Sequence, residues 1–268
     1  MTKVISFQGE AGAYSHQACA EAFPDDSVLP CHSFEGAIAA VTEGRADLAM
    51  LPVDNSTYGR IADIHTLLPE SGLHIIGEHF VRVHANLLGL KGASVADIHT
   101  VQSHTVLLGQ CRKFLTEHKM KSEVVADTAG SARMVAAQAD PQIGALASEF
   151  AAKIYGLEVL AKHIEDNAHN TTRFLICAPD PAHADVGSGK IITTIVFQVR
   201  NIPAALYKAM GGFATNGVNM VKLESYMVNG SFTATQFYAD NRDPLITSIP
   251  RDRKAQVIEL GSEGGQGH

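Results

Sequence analysis

Short apolar runs alternate with helix-spaced apolar positions over the first 178 residues, which predicts an α/β domain with a largely parallel sheet. "VISF" (4–7), "DLAMLPV" (47–53), "HTVQS" (99–103) and "QIGALAS" (142–148) read as strands. "SHQACAEAF" (15–23) reads as a helix stopped by Pro24. "SFEGAIAAVTEG" (33–44) sets Phe34, Ala37, Ile38 and Val41 on one face, with Ser33 to cap its start and Gly44 past its end. "TVLLGQCRKFLTEH", "TAGSARMVAAQAD" and "SEFAAKIYGL" supply further helices.

The pattern then breaks. "APDPAHADVGSGK" is rich in Pro, Gly, Ala and Asp, and residues 179–190 read as a linker. Beyond it, "IITTIVFQV" (191–199) is a strand and "PAALYKAMGGFATNG" (203–217) a helix with Pro at its start and Gly at its end. "VNMVKLESYMV" (218–228) and "SFTATQFYAD" (231–240) are strands joined by Asn229-Gly230, a strong hairpin signal. Residues 191–240 therefore form a small β-α-β-β unit. Residues 241–268, with Pro244, Pro250, the short run "VIEL" and a Gly-rich end, read as an irregular tail.

Composition narrows the classes. The chain has 268 residues, 46% apolar and 18% charged, which suits a soluble globular protein with a sizeable core. A formal charge of -7 argues against a nucleic-acid partner. No apolar run approaches the ~18 residues of a membrane span. The N-terminus has no signal-peptide pattern, so a cytoplasmic location is expected. Four cysteines (Cys19, Cys31, Cys111, Cys177) form no CxxC pair, and the thirteen histidines form no metal-binding motif. No metal site is expected from these spacings.

Candidate chemistry gathers where strands run into polar or glycine-rich turns before helices: "QGEAGAYS" (8–15), "DNS" (54–56), "SH" (103–104) and "AS" (147–148). In an open α/β sheet such turns collect at one edge, and helix N-termini there receive anions. Any one of these turns is explained by ordinary capping; several on one crevice point to a small acidic ligand. "HNTTRFLI" (169–176) adds Arg173, whose fork matches a carboxylate, and Thr172, whose hydroxyl can donate to a leaving oxygen. Plain strand-end roles are open to both. There is no GxGxxG, P-loop or GxSxG pattern. The residues alone imply a two-domain α/β protein that binds a small anion.

The ordered blocks "FQGEAGAYS", "LPVDNS", "SHTVLLGQC", "ALASEFAAKIYGL" and "NTTRFLI" resemble those of the prephenate dehydratase family. "NIPAALYKAMGGFATNGVNMVKLESYMVNGSFTATQFYAD" is similar to most of the ACT regulatory domain that follows in that family. The resemblance implies a two-lobed catalytic domain over 1–178, like periplasmic-binding-protein type II, with its site between the lobes. A smaller α+β ferredoxin-like ACT domain, incomplete at its C-terminus, would follow at 191–240. The implied reaction takes prephenate to phenylpyruvate, carbon dioxide and water, without cofactor, on the way to phenylalanine. The implied assembly is a homodimer or homotetramer, with L-phenylalanine as effector.

In that reading Thr172 and Arg173 are catalytic: Thr172 hydrogen-bonds the leaving hydroxyl, as proton donor or polariser, and Arg173 holds a substrate carboxylate or braces the site. Asn55, Ser56, Ser103, Gln110, Ala147 and Ser148 line the cleft, with Glu10, Tyr14 and Ser15 in the first turn. Phe174 is counted with the substrate-binding set and is expected to point into the core and fix the strand. Asn201, Ala204, Ala205, Leu206, Glu224 and Ser225 would bind the effector. The chain departs from the family pattern at Asp54 (often Glu), at His104-Thr105-Val106 (often His-Pro-Gln), at Ala204 (often Gly) and at Tyr226 (often Arg). Arogenate dehydratase and a non-catalytic sensor of small anions or amino acids are the alternatives.

Overall fold

The computed structural model describes residues 2–182, 192–227, 234–242 and 256–260. In chain order the first lobe contains β1 (Val4–Gln8), α1 (Tyr14–Ala22), β2 (Ser27–Cys31), α2 (Phe34–Thr42), β3 (Leu48–Asn55), β4 (Gly59–Arg60), α3 (Ala62–Leu67) and β5 (His74–Arg82). The chain then crosses to a second lobe. It contains β6 (Asn86–Gly89), β7 (Thr100–Ser103), α4 (Thr105–Gln110), α5 (Arg112–Glu117), β8 (Lys121–Val124), α6 (Thr128–Gln138), β9 (Ile143–Ala147), α7 (Glu149–Tyr155) and β10 (Glu158–Ala161). It returns to complete the first sheet with β11 (Thr171–Ala178).

The first sheet has the order β2-β1-β3-β11-β5, with β4 paired to β3. β1 runs parallel to β2 and β3, whereas β11 is antiparallel to both its neighbours. The second sheet, β10-β6-β9-β7-β8, is likewise mixed. The largely parallel sheet expected from the sequence is therefore corrected. Strands that follow a crossing between lobes enter against the local strand direction, a fact of topology that no local pattern carries. β2, β5, β6, β8 and β10 escaped the sequence reading. β8 is exposed along its whole length, and β5 mixes buried and half-exposed positions.

Strand periodicity sorts the core into layers. Leu175 and Cys177 join Leu51, Val53 and Ile64 beneath α2, and α2 buries Ala37, Ile38, Ala40 and Val41 as its spacing predicts. Phe174 lies on the opposite face of β11 with Phe7, Met50 and Val81, under α1. The two crossings are bonded to each other. Val83 N–H donates to Asn170 O at 2.9 Å, and Ile164 N–H to Ala85 O at 2.9 Å. The Glu165 carboxylate takes Ala85 N–H at 3.0 Å and sits 2.9 Å from His84 Nδ1.

The third unit contains β12 (Ile192–Gln198), α8 (Ala205–Thr215), β13 (Asn219–Met227), β14 (Ala234–Arg242) and β15 (Gln256–Leu260). Its sheet order is β13-β14-β12-β15, with every neighbouring pair antiparallel. Leu206, Ala209 and Phe213 of α8 pack on Ile195, Phe197, Phe237 and Ala239. The opposite face lies on the first lobe, where Tyr238 meets His65 edge-on at 4.9 Å. β15 falls within the tail expected to be irregular, and β14 runs on to Arg242, so the 240/241 boundary does not stand. The "VIEL" run finds its ladder on β12, far upstream, where a local reading has no view of it. Asn229-Gly230, most of the linker and residues 243–255, where no second helix was read, lie outside the described residues. Among the described residues, no helix is long and apolar enough to cross a membrane.

Candidate active site

β11 begins where the chain re-enters the first lobe, and its alternation separates the polar residues of "HNTTRFLI". Asn170, Thr172 and Phe174 share one side, and Arg173 points to the other. On the first side, Asn55 at the end of β3 is the cross-strand partner of Thr172. Asn55 Oδ1 accepts the backbone N–H groups of Thr57 and Tyr58, each at 3.0 Å. That fixes the amide's orientation, since only oxygen can accept them. Asn55 Nδ2 is thereby turned to donate to Asn170 Oδ1 at 2.7 Å and to Thr172 Oγ1 at 3.0 Å. Thr172 is 9% exposed. Its oxygen accepts from Asn55, so its own proton is left to donate.

Arg173 occupies the far side. Its Nε donates to Glu78 at 2.8 Å, and its Nη1 to Asp240 at 2.6 Å and to Asp54 at 3.5 Å. Burial by itself would lower its pKa; the carboxylates of Asp240 and Glu78 outweigh that and hold it above the ordinary value. Of the groups on its fork, Nε and Nη1 are paired with these acids, and Nη2 is buried without a hydrogen-bond partner among the described residues. Its charge is taken up by three acids behind the strand.

The polar turns do meet across the lobes. Tyr58, in the turn after "DNS", donates to Val106 O in the first turn of α4 at 3.4 Å. Ser148, capping α7, accepts Ala151 N–H at 3.0 Å and donates to Gly12 O in the first glycine-rich turn at 3.3 Å. Tyr155 donates to Ala11 O at 2.6 Å, and Glu10 pairs with Arg133 at 2.8 Å. Gly12 has φ +88, and a Cβ there would come within 3.1 Å of the Ala151 backbone, so glycine is required for this approach. The "DNS" turn, however, does not open a helix: it closes the β3–β4 hairpin. Ser56 ties that hairpin to the returning crossing, donating to His169 O at 2.8 Å and accepting Thr171 N–H at 2.9 Å.

Other expected residues are placed differently. Ser103 is fully buried and donates to Leu146 O at 2.7 Å. Ala147 is fully buried, its carbonyl accepting from Asn86 at 3.3 Å. Gln110 ends α4 and accepts Asp166 N–H on its carbonyl at 2.6 Å. Phe174 is 1% exposed in the core, so it props the strand and does not line the cleft. Tyr14 is half-buried; desolvation raises its phenol pKa, and it donates to His84 O at 2.8 Å.

In the effector set, Leu206 of α8 packs on the third sheet, while Glu224 turns to Arg60 of the first lobe at 3.9 Å. The two thus lie on opposite faces of the third sheet. Ser225 O accepts from Arg60 at 2.8 Å. Ala204 adopts φ 61 immediately before α8, Ala205 opens that helix, and Asn201 is exposed ahead of it.

Sequence reasoning missed Asn170, Asp240 and Lys222. Asn170 was legible, lying two residues before Thr172 and so on its face. Asp240 and Lys222 belong to the third unit and had no local signal. Sequence spacing also hid His84, His163 and Glu165, whose potential ligand atoms lie within 4.8 Å of one another beside the crossings. A neighbouring cavity of ≈ 140 Å³ includes Tyr14, Arg82, His84, Ser148 and His163 in its lining, but neither Asn55 nor Thr172.

Residues 5–182 match the family described as prephenate dehydratase. A bifunctional N-acyl-homoserine lactone acylase/prephenate dehydratase of Komagataeibacter europaeus is 50% identical over 238 residues, covering 89% of this chain and 85% of that protein. The chloroplastic arogenate dehydratase/prephenate dehydratase 2 of Arabidopsis thaliana is 40% identical over 222 residues, 82% of this chain and 58% of that one. The crystal structure of a prephenate dehydratase from Arthrobacter aurescens in complex with L-Phe has a TM-score of 0.85 and 25% identity. It covers 96% of this chain and 89% of that one.

Proposed function

The chain belongs to the prephenate dehydratase family, and from that premise we propose how its residues perform the family's reaction. Prephenate loses its ring carboxylate as carbon dioxide while the ring hydroxyl departs as water, leaving phenylpyruvate. The pair of electrons from the carboxylate–ring bond enters the ring as it becomes aromatic and expels the hydroxyl, which takes up a proton. Aromatisation supplies the driving force. The protein's part is to orient the dianion and to meet the charge that develops on the departing oxygen.

The observation that carries the reading is the Asn55–Thr172 hydrogen bond. Asn55, locked by two backbone donors, fills one acceptor position of the Thr172 hydroxyl and leaves its proton for the leaving oxygen. Asn170 holds the other proton of the Asn55 amide. The turns around Gly12 and Ser148 meet between the lobes. Arg173 acts from behind the strand. Thr172→Val keeps the β-branched shape and removes the hydroxyl. It is expected to lower kcat about 10²-fold or more with little change in KM. Wild-type turnover of prephenate by that variant sinks the assignment. Running arogenate beside prephenate in the same assay ranks the two substrates named for the Arabidopsis relative.

The third unit reads as an ACT-type regulatory domain, supported by its β-α-β-β order and by the strand order β13-β14-β12-β15. L-Phenylalanine is its proposed effector, in line with the L-Phe complex of the Arthrobacter protein. The proposed setting is a cytoplasmic homodimer or homotetramer. Suppression of turnover by added phenylalanine tests the effector.

A second reading stands beside the first. The relative at 50% identity carries an acylase activity in its name together with the dehydratase. On that ground the chain is also proposed to cleave the amide of N-acyl-homoserine lactones. Release of free homoserine lactone from such a substrate by purified protein checks this, and the Thr172→Val variant shows whether the two activities share a site.

A further inference from the structure

We propose that Lys222 and Asp240 of the third sheet are positioning residues for the dehydration, acting through Asp54 and Arg173 on Asn55 and Thr172. The inference rests on the reading of Asn55 and Thr172 as the pair that meets the substrate.

The geometry has two sides. Asn55 faces Thr172 as one cross-strand pair at the open end of the β3–β11 ladder, and Asp54 faces Arg173 as the next. Behind that second pair the register shifts, because Phe174 pairs with Pro52 and Val53 is the extra residue on β3. A bulge interrupts the backbone bonds locally, and Pro52 has no N–H to contribute. On the β3 side, the rungs that present Asn55 and Thr172 are therefore set off from the rest of the ladder by the bulge, while β5 keeps its register with Thr171–Ile176 on the other side.

Side chains from the third sheet add a further hold. The Lys222 ammonium bonds to Asp54 and stands 3.4 Å from His65 Nε2, with the Tyr238 ring at 5.4 Å. The Asp240 carboxylate is 2% exposed and spent in two directions. One oxygen accepts from Arg173 at 2.6 Å, the other from Thr194 at 2.7 Å. Asp54 and Arg173 thus each have one grip in the first lobe, through their mutual contact and Glu78, and one in the third sheet. Because neighbouring strand residues point to opposite faces, fixing Asp54 and Arg173 from behind fixes the backbone that aims Asn55 and Thr172 forward. Buried ion pairs add little net stability over apolar packing. The same contacts join the third sheet to the reacting strand, so a change in how that sheet sits is felt at Thr172.

The test uses the full chain with prephenate as substrate. Lys222→Met and Asp240→Asn are each expected to lower kcat about tenfold with KM nearly unchanged, as a shift of well under 1 Å at a reacting group does. Both variants are expected to stay folded by circular dichroism. Lys222→Arg, which keeps the charge, is expected to recover most of the rate. Asp54→Asn combined with Lys222→Met is expected to be no worse than the poorer single variant, since the two act along one path. Unchanged kcat in Lys222→Met and Asp240→Asn, alongside a collapse in Thr172→Val, overturns the positioning role alone. So does a loss that vanishes when rates are expressed per folded molecule, or a Lys222→Arg no better than the methionine. Wild-type turnover by Thr172→Val overturns the site reading and the inference with it.

Discussion

At the residue scale, two positions show how much one side chain's direction decides. Thr172 and Arg173 are adjacent in sequence and were read together as catalytic, yet strand alternation sends one to Asn55 and the other to three carboxylates behind the sheet. The period of two was available in the sequence; what stood against Arg173 was not, because Glu78 and Asp240 come from distant segments. Ala204 is the second case. It holds φ 61 and ψ 12 ahead of α8, a conformation that crowds its Cβ. Ala204→Gly is expected to stabilise the third unit by about 1 kcal/mol. The gain reads as a rise of ~2–4 °C in Tm by calorimetry.

Among the elements, β11 carries the most. It lies between β3 and β5 in the first sheet, receives the chain returning from the second lobe and carries Thr172 at its head. Phe174, one step along the same face, is packed with Phe7, Met50 and Val81. Phe174→Ala is expected to cost about 3–5 kcal/mol in urea unfolding, the range for a large aromatic lost from a core. A residue that lined the cleft would instead raise KM at nearly unchanged stability, so the pair of measurements separates the two roles. The helices were the easier elements to read. α2 shows a capping serine, an apolar stripe and a glycine past its end, and all three signals are local. Short strands such as β6 and β10 carry no comparable signal, because their polar–apolar order is set by which neighbour covers them.

Across the whole molecule, the contact between the third sheet and the first lobe is expected to respond to pH through His65. Burial lowers its pKa, the Ile61 carbonyl partly offsets this, and Lys222 adds to the lowering. Its partners fix the tautomer: Nδ1–H donates to Ile61 O at 3.1 Å, so Nε2 faces the Lys222 ammonium. The folded state therefore resists a proton that the unfolded chain accepts near the ordinary histidine value of ~6.5. Stability from this group is complete above that value and is lost as pH falls below it. His16, also lowered by burial, acts in the same sense. Tm followed from pH 7.5 down to 5.5 is expected to fall, and His65→Gln is expected to flatten that slope. An equal slope in the variant removes His65 as the cause.

The sequence by itself determined the alternation of strands and helices, the capped helix ends and the polar turns, and it put Thr172 at the head of a strand. These are local properties, carried by periodicity and by the conformational limits of Gly and Pro. Only the tertiary structure decided the mixed direction of the sheets, the pairing of β15 with β12, and the turning of Glu224 toward Arg60. It also decided that Arg173 pairs with Glu78, Asp54 and Asp240, and that Lys222 pairs with Asp54. Each of these depends on residues brought together from segments far apart. The partner that settles a charged side chain's role is chosen by how the chain returns, and no window along the sequence contains both ends of that choice.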